Sequence, residues 1–343
     1  MAGGIGSRFW PWSRKENPKQ FLDILGTGKS LIRQTFERFE EFIPAENIYV
    51  VTNTDYKGLV FEHLPELKEG QVLCEPVMRN TAPCIAYASY KINKINPNAN
   101  IVVAPSDHLI SNTLEFKNRI TEGFEVISKG DLLTLGIAPS RPDTGYGYIE
   151  YDKDVNANLV KTVSQFREKP DKQTAIEFIK KGNFVWNAGI FMWSAKSIIH
   201  EMETHLPQIS QVFKDGLDSL NTSKEVDFIN QNFPKCDNIS IDYGIMESAE
   251  NIKVMLCDFG WSDLGTWGSL YDNLSKDESN NATLGDNFFI NETSNSLIKS
   301  DKNKKIVIHG LTDLIVVDSG DELLICNKND EQKIKGLVSK LNE

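Results

Sequence analysis

Over the first 140 residues short apolar runs alternate with amphipathic stretches, and this alternation constrains the fold more than any other feature of the chain. "NIYVVTN" (47–53), "QVLCEP" (71–76), "NIVVAPSDH" (100–108) and "DLLTLGIAP" (131–139) have the length and β-branched content of buried strands. Between them, 30–43, 82–95 and 114–129 carry apolar residues at helical spacing. Ile85, Ala88, Ile92 and Ile95 form one such stripe, which Asn96-Pro97 ends. Strand and helix in alternation predict a parallel sheet with right-handed crossovers. In such sheets ligands sit beyond the carboxyl ends of strands, where "CEPVMRN" and "APSDH" fall.

From 140 to about 275 the order is mixed. "RPDTGYGYIE" reads as a Gly-rich turn into a strand, "VKTVSQFREKP" as a strand ending in charge, 171–182 as a helix, and "VWNAGIFMW" as an apolar strand with an asparagine near its start. "LSKDESNNATLGDN" is polar and turn-rich, a linker by composition. Beyond it "KKIVIHG", "DLIVVDSG" and "ELLICNK" are β-type runs between Gly/Asp turns, and a helix over 329–341 follows. At 343 residues about two domains are expected, a larger α/β domain over 1–275 and a small all-β unit over 283–343.

The chain opens "MAGGIGSRFWPWSRKENPKQFL". Backbone N–H groups in a Gly-rich turn form a concave anion site, and glycine lets the backbone approach phosphate closely. Gly3, Gly4, Gly6 and Ser7 fit such a cradle; Arg8 adds a bidentate grip and Lys19 a point charge. The dinucleotide fingerprint fails, because its third glycine falls on Phe9. A P-loop reading of "GTGKS" (26–30) fails as well. Its first glycine falls on Asp23, a carboxylate where phosphate should lie, and a turn capped by Ser30 is the better account.

The formal net charge is -11, so nothing global attracts nucleic acid or an anionic membrane. An anionic substrate has to be held by local cations. No apolar run reaches the roughly 18 residues a membrane span needs. The five cysteines form no CxxC pair, which disfavours a disulfide framework or zinc site and makes a reducing cytoplasm the default expectation.

With "PKQFL" (18–22), the order Gly-Gly-x-Gly-Ser-Arg resembles the sugar-nucleotide pyrophosphorylases, in particular their guanylyltransferases for mannose 1-phosphate. The resemblance implies a Rossmann-like nucleotidyltransferase sheet with helices on both faces, plus a β-helix-like C-terminal unit and a terminal helix. It extends to "EPVMRNTAP" (75–83), where Glu75, Arg79, Asn80 and Thr81 would meet the base; an N-cap at Asn80 or Thr81 is an equally simple reading, and the two are compatible. It implies that Asp107 of "PSDH" and Asp263 of "GWSDLGTW" hold Mg²⁺, which takes one or two carboxylates and completes its shell with phosphates and water. His108 reads as structural. In "TGYGYIE", "FREKP", "WNAGIF" and "SIDYGIME", it implies that Gly145, Gly147, Glu168, Asn187 and Asp242 line the sugar site and that Lys169 pairs with the sugar's phosphate.

The reaction so implied is attack of mannose 1-phosphate on the α-phosphorus of GTP, with Arg8, Lys19 and Lys169 supplying positive charge. With no clustered His/Glu motif near the C-terminal end, guanylyl transfer alone is expected, without isomerisation of mannose 6-phosphate. Alternatives left open are a nucleotidyltransferase for another sugar or base, such as glucose 1-phosphate with UTP or dTTP, and a non-catalytic sugar-nucleotide sensor. The resemblance also allows a homodimer. Finally, a loop of this kind normally follows a central first strand, and Met1-Ala2 leave no room for one. A central gap would leave two rows of backbone groups unpaired, at about 1–3 kcal/mol for each buried group. Met1 is therefore expected to be an internal methionine, the natural chain to begin about ten residues earlier, and the chain as given to be poorly soluble or inactive.

Overall fold

The computed structural model describes residues 1–4, 6–153, 158–300 and 304–341. They fall into two compact units. The first holds Met1–Gly3, Arg38–Pro105 and Ile110–Trp261; the second holds Gly4–Glu37, Ser106–Leu109 and Ser262–Glu343. Strands β1 (Val50–Asn53), β2 (Val72–Glu75) and β3 (Asn100–Val103) come first, and the two-residue β4 (Leu109–Ile110) marks the return of the chain to the first unit. β5 (Leu132–Ile137), β6 (Tyr148–Tyr151), β7 (Val160–Arg167), β8 (Phe184–Ser194) and β9 (Ile252–Cys257) complete that unit, and β10 (Trp261–Ser262) leads out of it.

β1 and β2 pair in parallel, and six further strands form a sheet in the order β3-β8-β5-β9-β7-β6. The alternation in sequence predicts a parallel sheet, but the sheet is mixed. β5 and β9 are parallel, while β8 runs antiparallel to both β3 and β5. The cause is the 11-residue β8, which inserts between β3 and β5. β3 and β5 keep their common direction and the connecting helix Thr113–Ile127, but they are no longer neighbours.

Both faces of this sheet are apolar because its central strands carry hydrophobic residues at consecutive positions, which point to opposite sides. Leu132, Phe191 and Trp193 join one core with Ile85 and Tyr87 of the helix Thr81–Ile95 and with Ile198 and Phe213 of later helices. Leu133, Ile190 and Met192 join a second core with Phe116, Ile120 and Ile127 of the helix Thr113–Ile127. The stripe expected on 82–95 is buried at Ile85 but open at its end, where Ile95 is 60% exposed. Met1 and Ala2 bond to both ladders: the Ala2 N–H donates to Val51 O and the Met1 ammonium to Ala104 O, each at 2.8 Å.

The second unit contains β11 (Ala282–Leu284), β12 (Phe288–Asn291), β13 (Leu297–Lys299), β14 (Ile306–His309), β15 (Leu314–Ser319) and β16 (Glu322–Asn327). β11, β13 and β15 stack in parallel, as do β12 and β14, and β16 turns back antiparallel to β15. Ile298 faces Val316 and Phe288 faces Ile306, an offset of 18 residues in each case, so the chain coils as in a β-helix. The inward side chains Ala282, Leu297, Ile315 and Val317 share one core with Leu264, Trp267 and Leu270 and with Phe9, Leu22, Ile24 and Leu31. The final segment begins as a 3-10 turn over Lys328–Lys333 and becomes helical at Ile334–Leu341. Among the described residues no helix is long and apolar enough to cross a membrane.

Candidate functional site

In the second unit the glycine loop is built around Lys19. Gly6 lies at φ +67°, and a Cβ there would meet Lys19 Cβ at 2.5 Å, so both the backbone and its neighbour require glycine. Ser7 opens a 3-10 turn, Ser7–Phe9. Gly4 faces open space, and the exposed Arg8 has no hydrogen bond or ion pair among the described residues. Lys19 is buried, and its ammonium donates to Asp263 O at 2.7 Å and Leu264 O at 3.0 Å while pairing with Asp107 Oδ2 at 2.9 Å. All three ammonium donors are thereby used. Burial works against the charge of Asp107, yet the Lys19 ammonium, with His108, holds its carboxyl below the usual carboxylate range.

The Asp263 turn is tightly specified. Leu264 sits at φ 43°, an uncommon conformation for a branched residue, and its fully buried side chain anchors the strained backbone. Asp263 Oδ1 accepts from Gly265 N–H at 2.9 Å, and a Cβ on Gly265 would lie 2.2 Å from Asp263 Oδ2. In "GTGKS", Asp23 accepts from the N–H groups of Thr27 at 2.9 Å and Gly28 at 2.6 Å. Its carboxylate fills the amide concavity that a phosphate would otherwise take.

In the first unit a polar group gathers at the ends of β6, β7 and β8. Gly147 O accepts from Asn187 N–H at 2.8 Å, and a Cβ on Gly147 would meet Glu168 Oε2 at 2.4 Å. Glu168 pairs with Lys169 at 2.6 Å; Lys169 sits at φ 46° with its ammonium largely in solvent. Asn187 donates to Asp242 Oδ1 at 2.9 Å, and its own Oδ1 accepts from Gly189 N–H at 3.0 Å and Thr134 Oγ1 at 3.2 Å. Asp242 begins a π-helical turn, Asp242–Met246, and burial together with the Glu168 charge pushes its carboxyl up to about 6. Glu168, Lys169, Asn187, Asp242 and Gly147 are thus brought together. Gly145 is set apart by its turn, where its N–H donates to Asp143 Oδ1 at 2.8 Å.

Glu75 ends β2 with one oxygen, Oε1, buried and unpartnered among the described residues. Its other oxygen faces Gly3, where a Cβ would lie 3.7 Å away. Burial pushes the Glu75 carboxyl up to about 8. Of its expected companions, Asn80 caps the helix by accepting from Thr81 N–H at 3.0 Å, Thr81 Oγ1 accepts from Ile241 N–H at 2.8 Å, and Arg79 donates to Pro234 O at 2.8 Å. Asn80 and Thr81 already hold protein partners, whereas among the described residues Glu75 Oε1 and Arg79 Nε, both buried, have none.

Residues 1–280 match the nucleotidyl transferase family, and residues 287–341 match the MannoseP isomerase/GMP-like beta-helix domain. The chain belongs to the nucleotidyl transferase family. Mannose-1-phosphate guanylyltransferase RfbM of Salmonella typhimurium (strain LT2) is 35% identical to it over 348 residues, 99% of this chain and 71% of that one. A mannose-1-phosphate guanylyltransferase of Escherichia coli is 33% identical over all of this chain and 75% of its own length. The crystal structure of mannose-1-phosphate geranyltransferase from Thermus thermophilus is similar with a TM-score of 0.90 at 29% identity, covering 100% of this chain and 98% of that one. Within the nucleotidyl transferases, then, the chain stands among the mannose-1-phosphate guanylyltransferases.

Nucleotidyl transferases commonly use a divalent metal. Asp107 and Asp263 fit that use in chemistry and number. Lys19 brings Asp107 and the Asp263 backbone to one ammonium, and Asp107 is held ionised. Among the described residues no set of three or more His, Cys, Asp or Glu forms a complete cage, so a metal here would take its remaining ligands from phosphate and water. Sequence reasoning missed Thr134, which orients the Asn187 amide. The signal was there: Thr134 is the lone hydroxyl in "LLTLGI", an otherwise apolar strand.

Proposed function

We propose that this chain transfers GMP from GTP to α-D-mannose 1-phosphate, releasing pyrophosphate. The observation that carries the reading is the Lys19 ammonium shared by Asp107 and the Asp263 turn, next in sequence to a glycine loop whose Gly4 and Arg8 are open to a ligand. In this reading Arg8 grips the triphosphate bidentately, with the N–H groups of Gly4, Gly6 and Ser7 directed at its oxygens. Lys19 acts from beneath the loop, keeping Asp107 charged and the Asp263 turn in place. Bound through Asp107 and Asp263, Mg²⁺ would neutralise charge on the triphosphate.

The polar group of the first unit serves the acceptor. Lys169, exposed and paired with Glu168, moves to the phosphate of the sugar, while Glu168, Asn187 and Asp242 accept and donate to hydroxyls. That phosphate has a second pKa near ~6 and is largely dianionic at neutral pH, so it needs no general base. Its oxygen forms a new bond to the α-phosphorus as the bond to the β-phosphate oxygen breaks, and pyrophosphate leaves with that electron pair. One phosphoanhydride replaces another, so the reaction runs in both directions. Glu75 reads the guanine edge. The chemistry belongs to residues 1–275, with 283–343 as the β unit.

The test is pyrophosphate release with GTP and mannose 1-phosphate, compared with ATP, UTP, dTTP and glucose 1-phosphate in Mg²⁺. The GTP–mannose 1-phosphate pair should lead by tenfold or more in kcat/KM. A higher kcat/KM for another pair, or binding of GDP-mannose with no turnover of any pair, would overturn the assignment.

A further inference from the structure

The limb of the glycine loop that meets the ligand is open, but its other limb is held at three places, all within the second unit. Arg14 makes the first hold. Its Nε donates to Pro11 O inside the loop at 2.9 Å, and its Nη2 donates to Ser319 O at 2.6 Å and pairs with Glu322 Oε2 at 3.0 Å. Ser319 ends β15 and Glu322 begins β16, so one guanidinium joins the loop backbone to a hairpin turn of the β coil. The turn is shaped around it: Gly320 lies at φ +62°, and a Cβ there would stand 3.4 Å from Nη2. The second hold is Lys299 of β13, buried, with its ammonium 4.7 Å from the centre of the Trp12 ring. The third is aromatic. Trp12 stacks on Trp267 at 6.3 Å, and Phe9 packs on the same ring at 4.9 Å, four residues beyond Asp263.

Global stability does not account for the Arg14 contact. Both partners are about one-third exposed, and pairs of that kind contribute little to folding. What the contact does is fix position: it ties Pro11 O, two residues after the Ser7–Phe9 turn that Gly6 opens, to the β15–β16 turn. We infer that the C-terminal β coil is part of the nucleotide-binding apparatus, and that Arg14 is a positioning residue that sets the glycine loop for the triphosphate. This rests on the proposed function, in which Gly4–Arg8 hold GTP.

The experiment compares wild type with Arg14→Met, Glu322→Gln, the double variant and Arg14→Lys. It measures kcat, separate KM values for GTP and mannose 1-phosphate, equilibrium binding of GTP, and Tm. Arg14→Met should raise the GTP KM and Kd by about fivefold or more, leaving the mannose 1-phosphate KM within about twofold and Tm nearly unchanged. Arg14→Lys keeps a donor for Ser319 O and should recover part of the loss. Glu322→Gln should raise the GTP KM less, and should add nothing in the Arg14→Met background. An unchanged GTP Kd in Arg14→Met, equal rises in both KM values, or additive effects in the double variant would each overturn the inference alone. A wild-type chain that binds no GTP would instead overturn the functional reading on which it rests.

Discussion

Gly4 and Gly6 stand two residues apart and are glycine for different reasons. Gly6 is fixed from within, by its positive φ and by Lys19 Cβ at 2.5 Å from any added Cβ. Gly6→Ala should therefore lower stability by about 1–3 kcal/mol and displace Lys19, seen as a lower Tm together with lost turnover. Gly4 has nothing within 4 Å, so Gly4→Ala should fold normally and raise the GTP KM through the phosphate's approach. Equal Tm losses in the two variants would refute this distinction. The glycine pattern was legible in sequence, but the burial of Lys19 was not. A lysine after Pro18 reads as a free cation, and only the fold shows it closed in by two carbonyls and a carboxylate. Glu75 gives a second prediction. With its carboxyl pushed to about 8, it is mostly protonated at pH 7. A folded value above the ordinary one means that its contribution to stability is full at low pH and is lost as pH rises toward about 8. A neutral carboxyl offers one donor and one acceptor, the complement of guanine O6 and N1–H. The GTP KM should then climb as pH rises through about 8, and Glu75→Gln, which offers the same pair and cannot ionise, should keep the low KM and lose the climb. A tenfold rise in KM for Glu75→Gln at pH 7 would show that the carboxylate, not the acid, reads the base.

Among elements, local periodicity located β1, β2, β3, β5 and the helices Thr81–Ile95 and Thr113–Ile127 to within a few residues. It said nothing of strand order, because the insertion of β8 between β3 and β5 is a long-range pairing with no local signature. The helices Ala195–His205, Pro207–Asp215 and Glu225–Asn232 were not read, since the order between 140 and 275 looked mixed. The π-helical turn at Asp242 could not be read either; its residues, Asp-Tyr-Gly-Ile-Met, have no periodicity of their own, and only the fold shows Asn187 donating to Asp242. The Asp263 turn lies between these cases, with its glycines visible but its strain at Leu264 hidden. Gly265→Ala tests it. The new Cβ, 2.2 Å from Asp263 Oδ2, forces the carboxylate to swing away. Turnover should fall by about tenfold or more, and the Mg²⁺ concentration needed for half-maximal rate should rise. An unchanged Mg²⁺ requirement would remove Asp263 from the metal's ligands.

At the scale of the whole molecule, chain order and compactness divide the protein differently. The family matches run 1–280 and 287–341, yet the second compact unit combines Gly4–Glu37 and Ser106–Leu109 with Ser262–Glu343. The stretch after residue 273 reads as a linker by composition, but its Ala282–Leu284 forms β11, the first rung of the coil, with Ala282 buried, and this recruitment was not legible either. It depends on Phe9, Leu22, Ile24 and Leu31 burying themselves against residues from Leu264 onward, more than two hundred positions away. A chain ending at residue 280 would therefore lose more than an appendage. Leu297, Ile315, Val317, Leu324 and Ile334 would vanish from the core that holds Phe9, Leu264 and Trp267. Removing a single buried aliphatic side chain typically costs about 2–5 kcal/mol, against a total stability of roughly 5–15 kcal/mol. Losing five should unfold that unit, releasing the glycine loop, Lys19 and the Asp263 turn together. The 1–280 fragment should give a weaker, broader thermal transition than the full chain, with its tryptophan fluorescence shifted to the red and no measurable GTP binding. A fragment with the full chain's Tm and GTP affinity would mean that the loop's fold is complete without the β coil.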